Sequence, residues 1–290
     1  MSSTLTVGVV VLSQGQRPQA LRRALDSVLR QRDVEVDIVC VGNGWDPRGL
    51  PAGVRSVVLD ENIGIPGGRN IGADVVKGDL IFFLDDDAWI PHDDLLERIA
   101  NVFEQRPRLG LLQPRLADAD TLATPRRWVP RVRVGDPSRS GNAFTVSEGV
   151  SVARRDAFEQ AGRWAGQFFY SHEGVELTWR MWNARWEVWY AGDLIVHHPA
   201  TSPSRHAVAE RMHTRNRVWL ARRNLPGPVG ALYLATWFGI TTARSFGNRA
   251  AFTSALRGWR EGFITPAGQR QPISWRTVWR LTAKGHPPII

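Results

Sequence analysis

The sequence predicts an α/β protein in which a mostly parallel sheet is flanked by helices and followed by a helical extension. Short apolar runs of strand length alternate with helix-period segments through the first part of the chain. Helical periodicity alone continues after about residue 200, where the pattern changes. A third observation marks the working edge: the apolar run 80–84 delivers three consecutive carboxylates, Asp85, Asp86 and Asp87, to its carboxyl end. In open α/β sheets that edge is where ligands bind.

The elements follow in order. Residues 4–12 read as a strand with Val7, Val9, Val10 and Val11 on both faces. Residues 17–31 carry Ala20, Leu21, Ala24, Leu25, Val28 and Leu29 at helical spacing. A second buried strand, 36–41, ends in the turn Gly42-Asn43-Gly44, and a third covers 54–59. A glycine-rich turn and a short helix through residue 76 precede the fourth strand, 80–84. This alternation implies parallel strands with right-handed crossovers. A helix at 92–105 and a strand at 109–116 come next, then a long polar loop over 117–142. Further strands are expected at 144–152, 187–191 and 194–196, with helices at 155–161 and 172–183. The helical extension breaks at Pro226, Gly247 and Pro266, so the chain divides into an α/β unit over 1–203 and an extension over 204–290.

Composition narrows the setting. The single cysteine, Cys40, lies in an apolar run and has no partner for a disulfide within the chain, which fits a reducing compartment. The start, Met-Ser-Ser-Thr, lacks the pattern of a secretory signal, so a cytoplasmic location is expected. The net charge of +9, with much of the excess after residue 200, favours an anionic membrane face or phosphate-bearing substrates. No nucleic-acid motif accompanies it. Residues 229–243 form an apolar stretch with Tyr233, Trp237 and Phe238 that is short for a membrane span and suits a buried or interfacial helix. Peripheral attachment at the inner membrane face follows from that pairing of charge and apolar surface. An oligomeric state is not legible.

The acid triplet admits two readings. Residues i and i+2 of an extended chain project to one side, so Asp85 and Asp87 can grip one divalent cation while Asp86 points elsewhere. The plainer reading is a solvated turn that caps the next helix. Upstream, glycines 64, 67, 68 and 72 let the backbone bend tightly and approach a ligand. Between them Arg69 offers a planar fork suited to phosphate or to an acid, and Asn70 can bond backbone or nucleotide.

The run from Glu61 through Asn62, Gly64, Gly67, Gly68, Arg69 and Asn70 to Gly72, at its distance from Asp85-Asp86-Asp87, resembles the family 2 nucleotide-sugar glycosyltransferases of bacterial polysaccharide and cell-envelope synthesis. The likeness covers roughly residues 5 to 200. It implies a GT-A fold, an Mn²⁺- or Mg²⁺-dependent nucleotide-sugar site, and inversion at the anomeric carbon. By position it implies donor contacts from Leu12, Ser13, Asn43, Asn62, Gly68, Arg69, Asn70, Asp85 and Asp86. Where the family places an acid after the second strand, this chain has Gly42, so Asn43 with backbone groups is expected to substitute.

The family's second acidic motif supplies a general base. Here the matching run is His172-Glu173-Gly174-Val175-Glu176-Leu177, and Gly174 stands where the aspartate is usual. Glu173, in the first helical turn, is then the expected base. Glu176, the second candidate, is four residues before Arg180 and is suited to pair with it. His197, five residues before Ser202, resembles the histidine that completes the metal site with Asp85 and Asp87; the adjacent His198 stays open. Trp164, Phe169, Tyr170 and His172 form the expected acceptor side, for a glycan or lipid-linked hydroxyl. Two rival readings remain: a catalytically inactive nucleotide-sugar-binding module, motivated by Gly42 and Gly174, and a nucleotidyltransferase.

Overall fold

A computed structural model describes residues 5–131, 135–200 and 209–289. Eight strands form one sheet in the order β3-β2-β1-β4-β7-β5-β8-β6. The first half is the expected parallel unit: β1 (Val7–Ser13) lies between β2 (Val36–Asn43) and β4 (Leu80–Asp85), with β3 (Val54–Leu59) outside β2. Helices α1 (Pro18–Leu29) and α2 (Ile65–Val75) make the crossovers. Beyond β4 the sheet is mixed. After α3 (Leu95–Gln105), β5 (Leu109–Asp118) runs parallel to β8 (Glu187–His198), and β7 (Val150–Arg154) is antiparallel to both β4 and β5. The two-residue β6 (Gly141–Asn142) pairs with β8 inside the long polar connection.

Two layers of core flank the sheet. Leu80, Phe82 and Leu84 of β4 face α1 and α3, whereas Ile81 and Phe83 face the layer of α2, α4 (Arg155–Gln160) and α5 (Glu173–Asn183). This period-2 alternation, continued past Leu84, turns Asp85 toward the α2 and α5 side.

Two strand boundaries differ from expectation. The strand expected over 144–152 begins at Val150, leaving residues 143–149 as a loop across the carboxyl end of β4. The segments 187–191 and 194–196 form one strand, because a register shift between Pro114 and Arg115 of β5 absorbs the intervening residues.

The extension consists of α6 (Ala209–Asn224), α7 (Gly227–Arg244), α8 (Arg249–Ile264) and α9 (Trp275–Ala283), with breaks near Pro226, Gly247 and Pro266 as expected. Helices α6 and α8 pack closely because Gly258 and Gly262 leave room: a Cβ at 262 would sit 2.5 Å from the Val218 Cβ. Trp219, Leu220, Tyr233, Val278 and Leu281 join the hydrophobic cluster that holds Phe83 and Trp164. Asn216 adds a polar tie, its Nδ2 donating to the carbonyls of Phe168 (3.0 Å), Tyr170 (2.7 Å) and Ser171 (2.8 Å). The extension therefore shares its core with the sheet. The boundary expected at 203/204, and Ser202, lie outside the described residues.

Candidate active site

Strand ends place the acids. Asp85 closes β4, and its backbone N–H donates to the Gly149 carbonyl at 2.8 Å. A Cβ at 149 would overlap Asp85 Oδ2, so the loop passes this carboxylate only as glycine. Arg69, on α2 and 1% exposed, donates from Nη2 to Asp85 Oδ1 at 2.6 Å; its Nε and Nη1 have no partner. Asp86 turns the other way, accepting from Ser13 Oγ at 2.7 Å and from Arg17 Nη2 at 2.6 Å. Arg17 also bonds Asp87.

The histidine that completes this group is His198, in place of His197. Its Nε2 lies 3.3 Å from Asp87 Oδ1 and 3.6 Å from Asp85 Oδ2. Adjacent strand residues face opposite sides, so His197 points away and stacks on Trp89 with ring centroids 5.4 Å apart. Single ligand atoms of Asp85, Asp87 and His198 lie within 4.8 Å of one another. Two carboxylates and one imidazole match the donor set of Mn²⁺ and also suit Mg²⁺.

The local electrostatics fit a cation. Burial opposes the charge on Asp85, but Arg69, His198 and Arg17 outweigh it and bring its pKa down to about 2. Burial, with Asp85 and Asp87 beside it, pushes Asp86 up to about 6. Asp87 is raised by burial and by Asp85. His198 is raised on balance: burial disfavours the imidazolium, and the nearby carboxylates of Asp85 and Asp87 favour it. A cation bound between the three would relieve the crowding that holds Asp87 up.

Several expected donor contacts serve the scaffold here. Asn43 Nδ2 donates to Asn62 Oδ1 at 2.9 Å and to the Gly64 carbonyl at 3.2 Å, while its Oδ1 accepts from Ile63 N–H at 2.9 Å. Asn62 Oδ1 also accepts from Gly64 N–H at 2.9 Å. Both asparagines thus shape the turn into α2. Asn70 clamps Trp164 by two hydrogen bonds, 2.8 Å to its carbonyl and 3.1 Å from its N–H. At Gly68 a Cβ would lie 2.5 Å from Leu12 Cδ1, so this glycine seats α2 on β1. The acid missing at 42 has a steric cause, because a Cβ there would overlap the Trp45 carbonyl.

The expected acceptor side also divides. Trp164 is 2% exposed and packs edge-on against Phe83 at 5.3 Å, a core residue. Phe169 adopts φ +64°, and its carbonyl accepts from Ile65 N–H at 2.8 Å, joining this segment to α2. Tyr170 is half-buried; burial, with Glu148, Glu173 and Asp85 nearby, raises its hydroxyl pKa. The His172 ring packs edge-on to His213 at 5.4 Å, and burial beside Arg217 and His213 keeps it neutral.

Of the two expected catalytic glutamates, Glu176 is a structural anchor. It is fully buried, paired with Arg180, and accepts from Arg223 Nε and Asn224 Nδ2, both at 2.9 Å. Glu173 is 1% exposed with Oε2 unpartnered, and burial together with Glu148 holds its pKa well above the carboxylate range. Glu148 is a residue that sequence reasoning missed. It is half-buried, its Oε1 accepts from Gly174 N–H at 3.0 Å, and Arg69 and Asp85 act on it electrostatically. Expecting residues 144–152 to be a strand concealed it; the Glu148-Gly149 pair at the head of the apolar run was the available signal.

A mixed sheet with acids at its parallel edge and a carboxylate–imidazole cluster beneath it defines a GT-A-type glycosyltransferase architecture. The sequence pattern of Glycosyl transferase family 2 matches residues 9–162, a little over half of the chain. The chain belongs to that family. An uncharacterized glycosyltransferase of Nostoc sp. is 31% identical over 196 residues, covering 64% of this chain and 57% of that protein. The chain thus matches little more than half the length of that relative. Among solved structures, GalNAc-T7 with UDP, GalNAc and Mn²⁺ superposes with a TM-score of 0.66 at 14% identity, covering 100% of this chain and 59% of the other. Staphylococcus aureus TarS residues 1–349 give 0.61 at 13% identity, covering 89% and 81%. A Pyrobaculum calidifontis mannosyltransferase with GDP-Man and Mn²⁺ gives 0.58 at 12%, covering 98% and 80%. At these identities the likeness concerns the fold.

Proposed function

We propose that this chain transfers a sugar, with inversion, from a nucleoside-diphosphate donor to a hydroxyl of a glycan or lipid-linked acceptor, dependent on Mn²⁺ or Mg²⁺. The observation that carries the reading is the convergence of Asp85, Asp87 and His198 on one point beside a fully buried Arg69. Those three residues would hold the cation, which when bound offsets negative charge building on the departing diphosphate. Arg17 holds Asp87 and Arg69 holds Asp85, so two of the ligands are oriented before donor arrives. Asn43 and Asn62 hold the turn that aims the start of α2 at the same edge. A carboxylate from the Glu148 and Glu173 side would take the acceptor proton.

The extension supports work at an anionic membrane surface. Most of the large apolar side chains exposed among the described residues lie there: Leu232, Phe238, Phe246, Leu256, Phe263, Ile264, Trp275 and Trp279. Arg244, Arg249, Arg257, Arg260 and Arg276 lie among them in the sequence. Among the described residues no helix is long and apolar enough to cross a membrane. A thermal-shift screen of UDP-, GDP- and dTDP-sugars tests the donor reading. Stabilisation by a nucleotide sugar only with Mn²⁺ or Mg²⁺ supports it, and a response indifferent to metal counts against it.

A further inference from the structure

We infer that Glu148, on the loop before β7, is the group that takes the acceptor proton. This rests on the transferase reading above. An acceptor hydroxyl must meet a carboxylate that keeps accessible surface, and the local acids sort cleanly on that requirement. Asp85 and Asp87 face His198, and Asp86 is tied to Ser13 and Arg17. Glu176 is sealed under Arg180, Arg223 and Asn224. Glu173 is 1% exposed. Glu148 alone of the glutamates here keeps accessible surface, and the neighbouring Gly149 packs directly on Asp85.

A second observation is steric. A Cβ at 174 would collide with the Val146 carbonyl and come within 2.8 Å of Glu148 Oε1. Any side chain at 174 would therefore enter the space that the 146–148 loop and the Glu148 carboxylate occupy. Glycine at 174 and glutamate at 148 are two halves of one arrangement, in which the loop supplies the acid that the helix cannot. The hydrogen bond from Gly174 N–H, at 3.0 Å, holds Oε1 at the amino end of α5, where the helix favours negative charge. Oε2 is then the oxygen that would receive the proton. Burial raises both carboxyls, and Glu173, the more deeply buried, is raised further with Glu148 beside it, so the shared negative charge favours Glu148.

In the step, the acceptor O–H bond breaks to Glu148 Oε2 as the oxygen bonds to the anomeric carbon. The carbon–phosphate oxygen bond breaks on the opposite face, and the nucleoside diphosphate leaves with the electron pair. The competing account is that Glu148 merely caps α5, whose own N-cap residue His172 makes no side-chain cap bond.

The test uses the full chain with Glu148→Gln and Glu173→Gln, a panel of UDP- and GDP-hexoses with Mn²⁺, and either water or azide as acceptor. Gln retains an oxygen for the Gly174 N–H. Azide attacks the anomeric carbon through nitrogen and has no proton to give up. Glu148→Gln is expected to lower hydrolysis about 10²- to 10⁴-fold. It should form glycosyl azide near the unmodified rate, with UDP–Mn²⁺ affinity by calorimetry and melting temperature retained. Loss of azide and water reactions together, or a larger hydrolysis loss in Glu173→Gln, would overturn the assignment. Absence of nucleoside diphosphate release by the unmodified chain with every donor would instead refute the transferase reading, and the assignment with it.

Discussion

Glu176→Gln separates an anchor from a catalyst. The Glu176 carboxylate is fully buried between Arg180, Arg223 and Asn224, and so joins α5 to the end of α6. Burial opposes its charge, but Arg180 and then Arg223 outweigh that and lower its pKa. Removing one partner of a buried pair typically costs about 3–5 kcal/mol. The lower end applies here, because Arg180 also donates to the carbonyls of Ala161 and Arg163. At roughly 2.1 cal/mol/K per residue, unfolding the 290-residue chain has an entropy near 0.6 kcal/mol/K, so ~3 kcal/mol lowers Tm by about 5 °C. The pH dependence has a definite sign. A lowered folded-state pKa gives stability that is present above the unfolded value, near 4.5, and is lost as pH falls through the folded value. The Tm gap between Glu176→Gln and the parent should therefore narrow as the solution is acidified below about pH 4.5. Calorimetric melts at pH 7 and pH 4 measure both quantities. An unchanged Tm at pH 7, or a Glu176→Gln variant that melts normally yet loses turnover, would refute the anchoring argument.

Other consequences follow from the same geometry. Asp87→Ala should abolish Mn²⁺-dependent binding of UDP or GDP in calorimetry while leaving the secondary structure intact; unchanged affinity would exclude Asp87 from the metal group. His198→Ala should weaken Mn²⁺ binding at least about tenfold, as loss of a ligand does, whereas His197→Ala should leave it within about twofold. The full-length chain should float with anionic liposomes at low salt and release as salt rises. Phe246→Ser with Trp279→Ser, at positions 93% and 67% exposed, should reduce flotation without lowering Tm. Flotation insensitive to both salt and these changes would place the contact elsewhere.

Much of this fold is written in local pattern. The strands expected over 36–41 and 80–84 were legible as mostly apolar runs bounded by turn residues, the one over 54–59 as a short valine-rich segment between turns, and the acid triplet because it follows the run 80–84 directly. The i,i+4 pairing of Glu176 with Arg180 was legible for the same local reason. What stayed hidden depends on register and on contacts distant in sequence. Choosing between His197 and His198 requires knowing which face of β8 looks toward β4. Asn43, Asn62 and Asn70 look like ligands in sequence, yet Asn43 and Asn62 bond each other and the backbone of a turn, and Asn70 bonds the backbone of Trp164, 94 residues away. Glu148 reaches Gly174 across 26 residues, and the loop that carries it was expected to be strand. The helical extension was expected as a separate unit because helical periodicity alone continues past about residue 200, but periodicity does not reveal that Trp219 and Leu281 join the core beside the sheet.

The central claim is tested most directly by the product released from a nucleotide-sugar panel incubated with the full-length chain and Mn²⁺. The account predicts free nucleoside diphosphate, lost on chelation with EDTA and lost in Asp87→Ala. Release of pyrophosphate, or nucleoside diphosphate release that persists through chelation, would contradict it.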